Sequence, residues 1–145
     1  MLRRLMLVFC LALGFASPSC QSYTGGLQKA VTGADETTAI AALHAVAVAQ
    51  QTYSITNGGE YGTFQQLTDG GLLDARYGTS KPVKDYILTM NVIPKTSGAP
   101  EGSYTCNADP DNKLNGGRHF YVDSTSTAIH VNDSQPATAN DPSAQ

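Results

Sequence analysis

The sequence predicts an α+β domain in which one N-terminal amphipathic helix packs on a four-stranded antiparallel meander. Three observations lead there. Residues 36–55 are rich in alanine and repeat their apolar side chains at helical spacing. Residues 84–93 (KDYILTMNVI) alternate in period two, as a half-buried strand must. Residues 118–132 (RHFYVDSTSTAIHVN) set two alternating runs on either side of the polar turn Asp123-Ser124-Thr125-Ser126 and read as a closing hairpin.

For the helix, Asp35 offers an N-cap and Glu36 adds negative charge to the first turn. Asn57-Gly58-Gly59 supplies residues that tolerate a left-handed stop. Ala39, Ile40, Leu43, Val46, Ala47 and Tyr53 share one stripe, and the alanines allow close approach to a sheet. Gln50 is a misfit that projects into this stripe, while Val48 and Ile55 form a second apolar patch away from it.

Next, Thr63-Phe64-Gln65-Gln66 fits a capping box and opens a short helix over residues 64–68. Asp69-Gly70-Gly71 ends it, and Leu72 and Leu73 are expected to tuck into the core. In the first strand Tyr86, Leu88, Met90 and Val92 oppose Ile87, Thr89, Asn91 and Ile93, and Pro94 closes the run. Residues 104–108, 119–123 and 127–131 complete the meander.

The flanks differ in composition. Residues 1–19 read as a signal peptide: Arg3 and Arg4 precede an apolar run, residues 5–15, that is shorter than the roughly 20 residues a membrane span needs. Two processing routes fit. Small residues lead to Cys20, where a lipoprotein would be cut and acylated, although Ser17 and Pro18 depart from the usual pattern; Gly14 and Ala16 suit ordinary cleavage after Ala16. Residues 20–34 read as a polar, glycine-containing spacer or a frayed lead-in to the helix, residues 35–132 as the globular domain, and residues 133–145 as a disordered tail with few apolar groups.

Export also sets the charge and the cysteine chemistry. The whole chain carries nine basic and twelve acidic residues, and losing Arg3 and Arg4 moves its net charge from -3 to -5. So acidic a domain is a poor nucleic-acid partner. With Cys10 gone, Cys106 is either a lone buried thiol, if Cys20 is acylated, or its disulfide partner.

Candidate chemistry is sparse. His119 and His130 fall on paired strands and His44 on the helix, but no HExxH-like spacing accompanies them. Ser124, His130 and Asp123 can be combined into a triad on paper, yet no nucleophile elbow surrounds Ser124. Asp109, Asp111 and Asn112 gather oxygen ligands of the kind calcium takes, and they also suit a simple turn. Among the aromatics, Tyr61 and Tyr77 lie in loops and are the candidates for an exposed interaction surface.

The helix segment AIAALHAVAVAQQTYSITNGGEYGTFQQL, the phrase GLLDARYGTSKPVKDYILTMNV, the hairpin RHFYVDSTSTAIHVN and the ending PATANDPSAQ together resemble the globular half of type IV pilin-like proteins, in particular the major-pseudopilin-like proteins of type II secretion. The resemblance covers residues 39–142. It implies a pilin-headgroup fold, no catalysis, and envelope, secretion or pilus proteins as partners, with calcium in a late loop as a family precedent. The N-terminus departs from that pattern. Gly14-Phe15 is followed by Ala-Ser-Pro-Ser-Cys, without the acidic residue or the long apolar helix of such proteins. The expectation is therefore an exported, non-enzymatic module that makes protein contacts through the sheet face and the loops around residues 77–82 and 108–117, periplasmic or held by lipid on Cys20 at the outer membrane or the cell surface. Gln21 and Ser22 supply no inner-membrane retention signal, and the lipid is its one contact with a membrane. A calcium- or carbohydrate-binding adhesive domain is the alternative.

Overall fold

The computed structural model describes residues 21–144 apart from positions 80, 100, 113 and 115. The proposed signal peptide and Cys20 lie outside the described residues. The elements follow the order α1 (Gln21–Thr56), α2 (Phe64–Asp69), a 3₁₀ turn (Ala75–Gly78), β1 (Tyr86–Ile93), β2 (Ser103–Pro110), β3 (His119–Asp123) and β4 (Ser126–Asn132). The strands form one antiparallel sheet in the order β1-β2-β3-β4, and α1 packs across it. The α+β class, the long N-terminal helix and the four-stranded antiparallel sheet are as expected.

The start of α1 is not. The helix runs for 36 residues, so the stretch read as a spacer is helical and Asp35 is an interior residue, 7 % exposed, not a cap. Gly25, Gly26 and Gly33 hid the continuity, since each costs a helix about 1 kcal/mol relative to alanine. Within this stretch the hydroxyls of Thr32, Thr37 and Thr38 donate to the carbonyls of Gln28, Gly33 and Ala34, four residues back, and so stay inside the helix's own hydrogen bonding. At the other end Gly58 (φ 61°) and Gly59 (φ 88°) take the left-handed conformation that the Asn-Gly-Gly sequence predicts.

The face of α1 turned to the sheet buries Ala39, Ala42, Leu43, Val46, Ala47, Ala49 and Gln50. Beneath it lie Tyr86 of β1, Tyr104, Cys106 and Ala108 of β2, Phe120 and Val122 of β3, and Ile129 of β4, all buried. Each large apolar side chain here contributes about 1.5–3 kcal/mol of burial. The small alanines, Cys106 and Ala108 bring helix and strands close together. Gln50 is no misfit once its partners are seen. Its Nε2 donates to the Gly62 carbonyl at 2.6 Å, its Oε1 accepts from the Gly62 amide at 2.9 Å, and Nε2 also lies 3.1 Å from Met90 Sδ.

The capping box forms as predicted: Thr63 Oγ1 accepts from the Gln66 amide and Gln66 Oε1 accepts from the Thr63 amide. Leu67 and Leu73 are buried and Leu72 is half-buried, so this segment closes one side of the core. Arg118 ties the opposite end to α1. Its amide donates to Glu36 Oε1 at 3.1 Å, and its guanidinium gives Glu36 Oε2 two bonds, of 3.1 and 2.8 Å. That carboxylate raises the Arg118 pKa above its ordinary value, chiefly through the side-chain hydrogen bond and against the opposing effect of burial.

The C-terminal stretch departs most from expectation. Residues 133–144 are not a loose tail: they cross back over the sheet and cover the edge of β4. The Val131 amide donates to the Pro142 carbonyl and the Ala144 amide to the Ile129 carbonyl, with Ser143 bridged antiparallel to His130. Ala137 is 2 % exposed, and its carbonyl accepts from Asn107 Nδ2 at 2.9 Å. Asp141 organises the turn by accepting from the Thr138 amide and hydroxyl and from Asn132 Nδ2. These bonds hold it where apolar content alone would not.

Candidate functional site

Three surfaces could carry function: the sheet face turned away from α1, the loops at its ends, and the solvent side of α1. Register and alternation place Asn107 and Asp109 of β2, His119 and Tyr121 of β3, and His130 of β4 on that outer sheet face. Each of these five side chains has a polar partner nearby. His119 Nδ1 lies 2.7 Å from Asp109 Oδ1. His130 Nδ1 lies 2.6 Å from the Asp141 carbonyl, which can only accept, so the proton sits on that nitrogen. The histidines are on adjacent strands, as the sequence suggests, but each has its own partner, a carboxylate for His119 and a backbone carbonyl for His130.

Asp123 holds the β3–β4 turn together. Its Oδ1 accepts from the Thr125 amide at 2.8 Å and hydroxyl at 2.6 Å, and from the Ser126 amide at 3.2 Å; Oδ2 accepts from the Tyr121 hydroxyl at 3.0 Å. Partial burial pushes its pKa up, but these bonds together outweigh that and leave it below the ordinary value. Tyr121 is pushed up to about 12 by burial and by the same carboxylate. Ser124 stands in the turn with its amide on the Tyr104 carbonyl, while His130 is engaged with Asp141, so the structure does not assemble the paper triad.

Of the residues proposed for calcium, two have partners in the structure. Asp109 is turned to His119, and Asp111 Oδ1 accepts from the Asn112 amide at 2.7 Å. No group of three or more His, Cys, Asp or Glu gathers around a common point among the described residues. Tyr61 and Tyr77 are half-buried, not free: Tyr61 packs at 5.0 Å, centroid to centroid, on Tyr104, and the Arg76 guanidinium lies 5.2 Å over the Tyr77 ring. Tyr61 does line a cleft of about 270 Å³ with Gln51, Ile55, Tyr104, Asp123 and Thr125. Beyond Tyr77, Thr38, Arg76, Lys81 and Lys84 rim an open hollow of about 450 Å³.

Cys106 is fully buried at the centre of the sheet, and burial pushes its thiol up to about 12. It serves as a small apolar filler.

No family model, curated protein or solved structure matches this chain. The candidate surface rests on geometry alone.

One surface stands apart. Lys29, Asp35 and Glu36 are the only formally charged residues of α1. Lys29 and Glu36 line the groove beside Gly116 and Arg118, and Asp35 is buried. The solvent side is left without charge, and it exposes Leu27 (52 %), Val31 (52 %), Val48 (64 %) and Ile55 (78 %). A surface helix ordinarily turns charged residues to water. Val48 and Ile55 are legible in the sequence as a second apolar patch; Leu27 and Val31 are not, because Gly25, Gly26 and Gly33 interrupt the helical pattern around them. No helix among the described residues is long and apolar enough to cross a membrane.

Proposed function

We propose that this chain is an exported, non-enzymatic module of the cell envelope, pilin-headgroup-like in plan, that acts through protein contacts made by the solvent side of α1. The observation that carries the reading is that uncharged helix face with its four exposed aliphatic side chains. Exposed apolar side chains gathered on one helix face mark interaction sites in soluble proteins. The element order, a long helix followed by a short capped helix and a meander, agrees with the resemblance drawn from the sequence. Several candidate groups are held in local bonds: His119 with Asp109, His130 with the Asp141 backbone carbonyl, and Asp111 with the Asn112 amide.

The test is a pair of substitutions in the living envelope. Val48→Glu on the helix should abolish cross-linking of the chain to its envelope partners, while Thr89→Glu, also exposed but on the outer sheet face, should leave it intact. Equal capture by both variants would end the reading.

A further inference from the structure

We propose that the cleft between the C-terminal end of α1 and the β3–β4 turn receives an arginine side chain of the partner protein. The proposal rests on the protein-contact reading above and adds the partner's chemistry. Its first support is a hydroxyl without a bond. Tyr104 is 4 % exposed, and its hydroxyl makes no hydrogen bond among the described residues. Yet no side-chain nitrogen or oxygen among them is both sealed from solvent and unpartnered. The hydroxyl therefore opens outward, and Tyr104 lines this cleft of about 270 Å³. A phenol buried so deeply ordinarily finds a partner, and here the partner enters through the cleft.

The charge of the lining selects a cation. Asp123 is the one charged side chain among the described residues that line the cleft. Partial burial works against its charge, but bonds from Thr125, Tyr121 and Ser126 outweigh that and hold its pKa low, so it is ionised at neutral pH. Its Oδ1 already accepts three bonds, while Oδ2 accepts only from the Tyr121 hydroxyl and keeps a site for another donor. Gln51, Ser54, Ser124 and Thr127 add side-chain oxygens to the same lining. Burial holds the Tyr104 pKa above the ordinary phenol value, so its hydroxyl stays neutral and able to accept. The Tyr61 and Tyr104 rings, 5.0 Å apart and tilted by 54°, form an aromatic corner on which a cation can rest.

Size and shape favour one arginine. The cleft is smaller than the roughly 300–1,000 Å³ of small-molecule sites, so it has room for a side chain and not for a sugar chain. A guanidinium is flat and carries its N–H groups in a fixed fork, so it can reach several separate oxygens and stack on a ring, which a compact ammonium does less well. Position ties the cleft to the helix surface. Ile55, the last exposed aliphatic residue of the uncharged side of α1, lines the cleft as well, so a partner lying along Val48 and Ile55 has it within reach. The net charge of the whole chain, -3, also draws a basic partner.

The experiment is a titration of the isotope-labelled full chain, kept in mild detergent, with Nα-acetyl-L-arginine amide, followed by backbone amide NMR. Saturable shifts are expected at Gln51, Thr125 and Ser126, with a dissociation constant in about the millimolar range. Nα-acetyl-L-citrulline amide, of the same length but uncharged, should bind at least about tenfold more weakly, and Asp123→Asn should weaken arginine amide by a similar factor. Tyr104→Phe should weaken it about threefold and leave thermal unfolding unchanged, since it removes an oxygen that has no partner in the fold. Should Asp123→Asn loosen the turn, Tyr104→Phe decides. No saturable shift, as in a cleft that holds only water, overturns the proposal. So does citrulline amide binding as tightly as arginine amide, or a methyl glucoside binding in its place. Equal capture of the two envelope variants at residues 48 and 89, by contrast, removes the protein-contact reading whether or not arginine amide binds.

Discussion

Gln50 on α1 satisfies both backbone polar groups of Gly62 with one side-chain amide, the donor arm at 2.6 Å and the acceptor arm at 2.9 Å, in a fully buried site. A glutamine amide presents one donor group and one acceptor in a single plane, and so can pair a chain segment much as another strand would. It fastens the connection after α1 to the helix just where the chain turns toward α2. Gly62 has little room for any other residue, because an added Cβ would come within 3.0 Å of Leu67 and 3.2 Å of Tyr53.

Replacing Gln50 with leucine keeps the volume roughly constant but orphans a buried N–H and a buried C=O. The expected loss is about 2–4 kcal/mol, the cost of leaving such groups unpaired. Urea unfolding should show it as a lower midpoint with an unchanged slope. A midpoint within error of the parent would mean that water satisfies Gly62 equally well.

Asp123 and Asp141 both sit below the ordinary carboxylate pKa, Asp123 through the bonds of the β3–β4 turn and Asp141 chiefly through the Thr138 amide. A depressed folded pKa means that the unfolded chain binds the proton more tightly. The stabilisation is therefore complete above the unfolded value, about 3.9, and disappears as pH falls through the folded values. Unfolding midpoints should be flat from neutrality to about pH 5 and fall below about pH 4. Asp123→Asn should flatten that acid limb, and an unchanged limb would contradict the assignment.

The C-terminal segment should behave as part of the domain. Amides of Val131 and Ala144 are hydrogen-bonded across the β4 edge and should resist exchange with solvent deuterium. Deleting residues 133–145 should cost about 2–5 kcal/mol, from the several bonds lost, and should leave an unpaired strand edge that promotes aggregation. Rapid exchange at both amides would restore the reading of a loose tail.

Calcium offers a separate check. With Asp109 turned to His119 and Asp111 to the Asn112 amide, millimolar calcium is expected to leave the melting temperature unmoved. A rise that vanishes in Asp109→Ala and Asp111→Ala would establish the metal-binding alternative.

The sheet was legible because its strands alternate: the sequence places β3 at its observed bounds, and the other three within two residues at each end. The capping box and the glycine stop of α1 were legible for the same reason, local chemistry at fixed offsets. What escaped was held by distant partners. Asp35 looks like a cap because a helix start and a helix interior can share the same few residues, and the glycines before it broke the pattern. Gln50 looked like a flaw because Gly62 is twelve residues away. The final segment looked disordered because its anchors are polar side chains, Asn107, Asn132 and Asp141, which composition counts as solvated. The outer-face histidines were placed on paired strands, but nothing local told that each would take its own partner. The uncharged side of α1 was half legible, at Val48 and Ile55, and its other two exposed aliphatics, Leu27 and Val31, lie in the glycine-containing stretch before Asp35.

A photo-cross-linking amino acid placed in turn along α1 in living cells tests the central claim most directly. If the helix acts through its uncharged side, protein adducts should peak at positions 27, 34, 41, 48 and 55 and be absent at Thr89, Asn91 and Thr105 on the outer sheet face. Adducts confined to the sheet face, with none along the helix, would contradict the account.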